Sequence, residues 1–188
     1  MKKVLVLLAD GFEEVEALSV VDVLRRGNVD CKMCSIEDEY VRGTHDIIIK
    51  SDCKINDIDC EEYDAVVLPG GLPGAENLKV NSVKNLITKM NDNKKIIAAI
   101  CAAPETLEYF NILEGKRCTS YPGFIKDKEK VNYIEDELVV VDDNIITSRG
   151  PATALTFSLT ILEELGCINE VEDIKEGMLV NFYNKFSR

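Results

Sequence analysis

Basic residues are scarce in this 188-residue sequence, and the scarcity excludes several classes of partner. It has 22 lysines and arginines against 34 aspartates and glutamates, which gives a formal net charge of −12 at pH 7. Proteins that bind nucleic acids or anionic membranes need clustered positive charge, so we expect neither partner. No apolar run approaches the roughly 18 residues that a membrane-spanning helix requires. The sequence also has no linker, internal repeat or low-complexity segment.

The N-terminal apolar run, residues 4–9, is too short for a secretion signal. It is followed by the acidic run DGFEE at 10–14 instead of the small residues of a cleavage site. The seven cysteines are an odd number, and most of them fall in apolar, strand-like segments. This pattern favours a reducing cytoplasm over a disulfide framework, so we expect a cytoplasmic protein with free thiols.

Cys31 and Cys34 have the CxxC spacing of many zinc sites. They fall inside a predicted strand, where an offset of three residues places two side chains on opposite faces. Cys53 and Cys60 are the further ligands that such a site would need, but their spacing is poor for zinc. The sequence therefore predicts no metal site.

Strand-like and helix-like segments alternate along the chain. The apolar runs are typical of parallel strands buried on both faces, and the helical segments repeat apolar residues every three or four positions. The predicted strands are 4–9, 29–35, 46–50, 64–68, 95–100, 138–141 and 145–148, and the predicted helices are 14–26, 81–91, 104 to about 115, 151–165 and 171–186. Such βα units predict one α/β domain, residues 1–188, with a mostly parallel, doubly wound sheet. The segment 117–148 is expected to be more antiparallel, with a hairpin turn at 142–144.

The segment AAICAAP at 98–104 places a cysteine between an apolar strand and a helix. Small residues around Cys101 leave room for a tight turn, and Pro104 suits a first helical turn because its missing N–H costs little there. A thiol at the start of a helix lies in a positive potential that favours the thiolate, and it faces unpaired backbone N–H groups. This arrangement is typical of a nucleophile elbow. A buried core cysteine is the alternative, because cysteine is among the most buried residue types.

Two further loops follow predicted parallel strands and are expected to meet Cys101 at the same edge of the sheet. After the first strand, residues 10–16 put acidic side chains, Glu16 among them, around the start of a helix. Stabilisation of the helix dipole is the simpler explanation of these acids. After the fourth strand, Gly70 and Gly71 allow a turn whose N–H groups point at the elbow, although an ordinary tight turn would also explain them. The convergence of three loops is the argument for a site.

Together these motifs resemble the ThiJ/PfpI superfamily, in particular the branch of the Parkinsonism-associated protein deglycase and the YajL-like proteins. The matching stretches keep the family's order along almost the whole chain and are residues 8–16, 21–27, 63–71, 74–75, 97–104 and 147–151. The cysteine elbow and the TSRGP run at 147–151 are specific when they occur together. The resemblance implies a flavodoxin-like three-layer sandwich with a mostly parallel sheet and a nucleophile-elbow cysteine.

The resemblance also implies a role for individual residues. Cys101 matches the family nucleophile, and Glu16 matches a glutamate that hydrogen-bonds the cysteine sulfur. The backbone N–H groups of Gly71 and Ala102 match an oxyanion pocket. Members of this branch are usually homodimers, and Arg26 matches an arginine that lies near the partner's site. No cofactor or metal is implied.

The sequence departs from the family where many members carry a histidine beside the nucleophile. Tyr121 stands at that position, and the one histidine of the chain, His45, falls where some relatives carry arginine. His45 is either a catalytic base or an ordinary surface or interface residue, and the second reading is favoured. A Cys–His dyad of the protease type is therefore not expected. Tyrosine is a poor base at pH 7 but a usable hydrogen-bond donor.

A charged Glu16 beside the sulfur would oppose formation of the thiolate, since like charges in one pocket do not both ionise cheaply. Glu16 is therefore expected to keep its proton, to donate it toward Cys101 and to titrate with it as a unit. The thiol pKa is expected to fall well below its usual value of about 8.5.

Two functions follow from this chemistry. In the first, the protein is a cofactor-free glyoxalase or deglycase whose Cys101 thiolate adds to methylglyoxal-type 2-oxoaldehydes or to their early adducts on proteins. In the second, it is an oxidative-stress sensor or chaperone that reports through oxidation of Cys101 to the sulfinate. The two functions do not exclude each other.

Overall fold

The structure, a computed structural model, describes residues 1–186. Its strands, in chain order, are β1 (Lys3–Leu8), β2 (Asp30–Ser35), β3 (Tyr40–Arg42), β4 (Ile48–Lys50), β5 (Cys53–Lys54), β6 (Ala65–Leu68), β7 (Ile96–Ile100), β8 (Arg117–Cys118), β9 (Asn132–Tyr133), β10 (Val139–Asp142) and β11 (Ile145–Ser148). Its helices are α1 (Glu14–Arg26), α2 (Gly74–Asn77), α3 (Asn81–Asp92), α4 (Pro104–Tyr109), α5 (Ala154–Glu164), α6 (Ile168–Gly177) and α7 (Val180–Phe186).

A seven-stranded sheet in the order β10-β11-β7-β6-β1-β2-β5 forms the middle layer of the molecule. Its strand pairs are parallel except for β10 and β11, which form the predicted antiparallel hairpin. The chain starts at β1, adds β2 on one side and then crosses to β6, β7 and β11 on the other. The prediction of an α/β, flavodoxin-like sheet with helices on both faces is confirmed.

The apolar character of the central strands follows from burial on both faces. Along β1, Val4, Val6 and Leu8 pack into the layer that contains α1 and α5. Leu5 and Leu7 pack into the opposite layer, which contains α3. A strand with period-two geometry and two covered faces needs apolar residues at every position, and β1 has them.

Helix α1 has the predicted bounds of 14–26, with acidic residues in its first turn and Arg25 and Arg26 in its last. Its buried stripe, which includes Val20 and Leu24, faces the sheet and α5. Gly27, which follows the helix, packs tightly against Leu162: a Cβ at position 27 would lie 2.7 Å from Leu162 Cδ1. Helix α1 therefore starts at the carboxyl end of β1, where it can carry acidic side chains to the sheet edge.

The structure corrects three details of the sequence prediction. The helix expected at 171–186 is two helices, α6 and α7, separated where Leu179 adopts a left-handed φ of 60°. The elbow helix, expected to continue to about 115, ends at Tyr109, and Asn111 turns the chain with φ 61°. Within 117–148, β8 and β9 pair in parallel, although that segment was expected to be more antiparallel.

The CxxC prediction is confirmed in its geometry. Cys31 packs in the layer of α1 and α5, whereas Cys34 packs in the layer of α3, so the two thiols lie on opposite faces of the sheet. All seven cysteines are free. No helix within residues 1–186 is long and apolar enough to cross a bilayer.

We expect Phe157→Ala to lower the free energy of unfolding by about 3–5 kcal/mol. Phe157 is fully buried between α5 and the sheet, so its truncation leaves a cavity. The matched control is Ile168→Ala, whose side chain is 65% exposed and whose loss should cost under about 0.5 kcal/mol. Urea unfolding measures both values, and equal losses in the two variants would contradict the assigned core.

Candidate active site

Cys101 lies directly between the end of β7 and the start of α4. Its backbone N–H donates to Ser148 O at 3.0 Å, and its carbonyl accepts from Tyr121 N at 2.8 Å. Between these two bonds Cys101 adopts φ 63°, a left-handed conformation that costs energy for a residue with a Cβ. The neighbouring TSRGP segment and the loop of Tyr121 therefore hold the elbow cysteine in a strained conformation from both sides.

Glu16 reaches the same place from the first turn of α1. Its side chain is fully buried, and its Oε2 accepts a hydrogen bond from Gly70 N at 2.8 Å. The loop after β6 is tied back to α1 because Gly70 O accepts from Glu13 N at 2.9 Å. The three loops that follow β1, β6 and β7 thus meet at one edge of the sheet, as parallel strands require.

The meeting of these loops leaves no room for a side chain at position 70. A Cβ on Gly70 would lie 2.7 Å from Cys101 Cβ, 2.8 Å from Glu16 Oε2 and 3.0 Å from Ala102 N. Gly71, the next residue, has φ 92°, which favours glycine. The glycine pair therefore allows backbone N–H groups to approach the cysteine directly.

Burial and three neighbouring groups determine the ionisation of Cys101. Burial, followed by the charge and the hydrogen bond of an ionised Glu16, raises the pKa of the thiol to about 12. The backbone N–H groups of Ala102 and Gly71 act in the opposite direction, because they hydrogen-bond the sulfur. The expectation of a thiol pKa below its usual value is therefore not met, and burial is the main reason, whereas the expectation that a charged Glu16 opposes the thiolate agrees with this shift. The positive potential at the start of α4 does not offset the rise in the thiol pKa that burial of the sulfur causes.

Burial also acts on Glu16, and it raises the pKa of this carboxyl to about 7, although the bonds from Gly70 and Cys101 oppose the shift. Its Oε1 is buried and accepts no hydrogen bond from any residue within 1–186. An orphaned buried oxygen is costly for a carboxylate but not for a carboxylic acid that donates through it. The Cys101 sulfur is the group with which this carboxyl interacts.

Glu16 and Cys101 therefore behave as one acid with two protons. The first proton leaves the pair near pH 7, and the second leaves far above it. Glu16 has the lower of these two pKa values, but we expect the single negative charge to reside on sulfur, since two N–H groups are directed at the sulfur and one at Glu16. A proton on Glu16 then removes the repulsion that raises the thiol pKa.

Tyr121, which replaces the family histidine, borders the elbow through its backbone. Its ring is about half exposed, makes an edge contact with Phe124 at 6.0 Å between centroids, and faces Gly150. A Cβ on Gly150 would lie 3.4 Å from the Tyr121 ring. The contact of Tyr121 with the elbow is therefore made by its backbone N–H, which donates to Cys101 O.

His45 lies in the loop before β4 and hydrogen-bonds Glu14, with 2.8 Å between Nδ1 and Oε2. This bond, together with the charge of Glu13, raises the pKa of His45, so a smaller fraction of the imidazole is neutral and able to accept a proton at pH 7. None of its described bonds reaches Cys101. Ligand atoms of Glu13, Glu14 and His45 lie within 4.8 Å of one another, but the imidazole is exposed and Glu14 is already held by the His45 loop.

Arg26 is not part of the site within one chain. It ends α1, about 15 Å along the helix from Glu16 at the usual rise per residue, and it pairs with Asp22 at 2.9 Å. A contribution of Arg26 to a site would require a second copy of the chain. Cys101, Glu16, Gly70, Gly71 and Ala102 are brought together, whereas Arg26 and His45 are not.

Sequence reasoning missed the pairing of Cys34 with Cys53. The two residues lie opposite each other on β2 and β5. They are 19 positions apart, and the two-residue strand β5 gives no periodic signal. Only the sheet pairing reveals that they are neighbours.

Comparison with known proteins gives consistent matches. The DJ-1/PfpI family model matches residues 2–164. Drosophila melanogaster protein dj-1beta is 38% identical over 184 residues, which are 96% of this chain and 98% of the relative. The crystal structure of Drosophila melanogaster DJ-1beta superposes with a TM-score of 0.89 at 37% identity, and the match covers 95% of this chain and 97% of the other. Oxidized Toxoplasma gondii DJ-1 superposes with a TM-score of 0.89 at 33% identity over 95% of this chain and 98% of the other. Deglycase PH1704 of Pyrococcus horikoshii is 35% identical over 153 residues, which are 80% of this chain and 91% of the relative.

We expect Gly70→Ala to slow alkylation of Cys101 by about tenfold, since displacing one N–H donor costs on the order of 1 kcal/mol. The new Cβ would push on Glu16 and Ala102 together. The matched control is Gly177→Ala, because position 177 has no atom within 4 Å of its Cβ and no left-handed φ. Iodoacetamide labelling of both variants measures the rates, and an unchanged rate in Gly70→Ala would contradict the assigned contact.

We expect Glu16→Leu to shift the appearance of the thiolate upward by at least about one pH unit, because leucine removes the donor while burial of the sulfur remains. Glu16→Gln keeps an N–H donor and should lie closer to the parent protein. Ultraviolet absorbance of the thiolate follows the titration, with Cys101→Ala as the blank. Equal midpoints in the parent and in Glu16→Leu would remove Glu16 from the ionisation of Cys101.

Proposed function

This chain belongs to the DJ-1/PfpI family, and on that premise we propose that it is a cysteine-dependent glyoxalase or deglycase. Its substrates would be methylglyoxal-type 2-oxoaldehydes or their early adducts on proteins. The name of the Pyrococcus horikoshii relative, a deglycase, supports the second substrate class. The observation that carries the proposal is the contact of one buried carboxyl and two backbone N–H groups with the Cys101 sulfur.

The first step is addition of the thiolate to the aldehyde carbon. The carbon–sulfur bond forms as the carbonyl electron pair moves to oxygen, and the N–H groups of Gly71 and Ala102, which hydrogen-bond the sulfur before the addition, would stabilise that oxyanion. Glu16 then supplies its proton to the oxygen, which gives a neutral hemithioacetal. An amine adduct would reach the same intermediate when the sulfur displaces the amine.

The second step moves a proton between adjacent carbons. Glu16, now a carboxylate, removes the proton from the carbon bound to sulfur and returns it to the neighbouring carbon, which yields a lactoyl thioester. A pKa near 7 suits both halves of this task, because a proton carrier works best when its pKa is close to the working pH. Water then cleaves the thioester, releases lactate and restores the thiol. The overall reaction adds one water and needs no external oxidant, reductant or cofactor.

We propose that the protein works as a homodimer. Arg26 and the Cys101 site lie at opposite ends of α1, so a partner's arginine is the one that could approach a site in the manner of the family. We also propose a cytoplasmic location, which the seven free thiols support because a reducing compartment maintains that state.

A second function, sensing of peroxide through Cys101, is supported by the same carboxyl. Oxidation by two equivalents of peroxide converts the thiolate first to the sulfenate and then to the sulfinate, with release of two waters. The orphaned Glu16 Oε1 would then donate its proton to a sulfinate oxygen. The similarity to a DJ-1 solved in an oxidized state agrees with this chemistry.

We expect Cys101→Ala to abolish formation of lactate from methylglyoxal, because no other group at the site can form the carbon–sulfur bond. Glu16→Ala should lose at least about 100-fold in kcat, which is the lower range for removal of a general acid–base group. The control is Cys167→Ala, which removes a part-exposed thiol directly before α6. An enzymatic lactate assay on variants with matched thermal unfolding measures the rates, and activity that survives Cys101→Ala would rule out the proposed mechanism.

We expect brief exposure to low peroxide to add two oxygen atoms to Cys101 and to leave the other cysteines free of added oxygen. Glu16→Leu should instead carry the oxidation past the sulfinate or stop it earlier, since the stabilising donor is gone. Peptide mass spectrometry locates the added mass. Oxygen spread over several cysteines would count against a sensing role for Cys101.

A further inference from the structure

A second pair of thiols lies at an edge of the sheet, away from the Cys101 elbow. Strand β5 pairs in parallel with β2, and the pairing sets Cys53 directly opposite Cys34. Neighbouring strands lie about 4.8 Å apart. This separation falls inside the range of about 4.4–6.8 Å that the two Cα atoms of a disulfide span.

The two side chains point into the same layer. Cys34 belongs to the core on the α3 side of the sheet, and Cys53 packs against that core. Each thiol shifts the pKa of the other, so the two sulfurs are close neighbours, although Cys34 Sγ donates to Ser35 O at 3.9 Å and Cys53 Sγ donates to Met33 O at 4.0 Å. Cys34 is completely buried, whereas Cys53 is partly exposed, so one member of the pair can meet a small oxidant and the other is held behind it.

We propose that Cys34 and Cys53 form a reversible intramolecular disulfide under sustained exposure to hydroperoxides. The site is separate from Cys101 and independent of its chemistry. Cys53 is the residue that peroxide oxidises, and Cys34 is the residue that then reacts with the oxidised Cys53 to form the disulfide.

The reaction balances with peroxide as the oxidant. The Cys53 sulfur attacks one peroxide oxygen, the O–O bond breaks, and a sulfenic acid and one water result. The Cys34 sulfur then attacks the Cys53 sulfur, the S–S bond forms, the S–O bond breaks, and a second water leaves. Two thiols lose two protons and two electrons, and one peroxide is reduced to two waters.

The position of Cys53 at the sheet edge allows the closure. Strand β5 has two residues and pairs with β2 alone, so it can move toward β2 without breaking a second strand pairing. Burial raises the pKa of both thiols, which makes the first attack slow and explains why a sustained exposure is required.

The disulfide would close a loop that supports the active site. Residues 34–53 include the β3–β4 hairpin, whose turn contacts the start of α1. Thr44 N donates to Phe12 O at 2.9 Å, and His45 N donates to Glu14 Oε1 at 2.7 Å. A covalent link between the ends of this loop would restrain the segment that packs beside Glu13 and Glu14.

The test uses the full chain with Cys101→Ala, so that the elbow thiol does not react. The protein is held in excess hydrogen peroxide for hours, denatured and alkylated, and its alkylated thiols are counted by intact mass. We expect two of the six remaining thiols to become resistant to alkylation until a dithiol reductant is added. A peptide map without reductant should show one cross-linked pair that contains Cys34 and Cys53.

Three further variants make the result specific. Cys53→Ser, at the partly exposed position, should leave all the remaining thiols open to alkylation, and Cys34→Ser should leave Cys53 as a sulfenic or sulfinic acid without a link. Cys31→Ala, on the same strand but on the opposite face, should form the disulfide as before. Full alkylation of the Cys101→Ala protein after peroxide, or a cross-link that involves a different cysteine, would overturn the proposal.

Discussion

The site depends on a proton that two buried acids share. Neither Glu16 nor Cys101 can ionise at its ordinary pKa, because each has lost its water, and an ionised Glu16 raises the pKa of Cys101 further. One negative charge is nevertheless accommodated, since backbone N–H groups of Gly71 and Ala102 are directed at the sulfur. In the mechanism that we propose, a carboxylic acid rather than an imidazole activates the nucleophile. That mechanism does not require a histidine at position 121, where the chain has tyrosine.

The fold makes this arrangement possible by bringing three loops within backbone contact. Each loop leaves the carboxyl end of a parallel strand, and the strands β1, β6 and β7 are neighbours in the sheet. The approach is close enough that position 70 must be glycine and that Cys101 is held in a left-handed conformation. The hydrogen bond that Cys101 N donates to Ser148 O and the one that Cys101 O accepts from Tyr121 N maintain that strain, so residues distant in sequence define the position of one sulfur atom.

Local sequence patterns predicted the helices, strands and turns whose formation depends on residues close together in the sequence. Helix 14–26 was predicted to the residue, and β1, β7 and the β10–β11 hairpin within one residue at each end, because apolar periodicity, charge at helix ends and turn residues act over short distances. The sequence placed Cys101, Glu16 and the glycine pair at one sheet edge through the rule for parallel strands. It did not reveal the break at Leu179 or the parallel pairing of β8 with β9. It also led to the wrong direction for the pKa of Cys101, since burial is the largest cause of the rise and the extent of burial is a property of the packed structure. The Cys34–Cys53 pair was not predicted for the same reason, because the register of two paired strands cannot be deduced from the sequence of either strand alone.

Infrared spectroscopy of the Glu16 carboxyl tests the shared proton most directly. The difference between the parent protein and Glu16→Gln isolates the bands of this one side chain between pH 5 and pH 9. The account predicts that the carbonyl band of a protonated carboxylic acid persists at pH 8, after the thiolate has appeared. Loss of that band near pH 7, with growth of a carboxylate band and no thiolate, would place the negative charge on Glu16 and contradict the account.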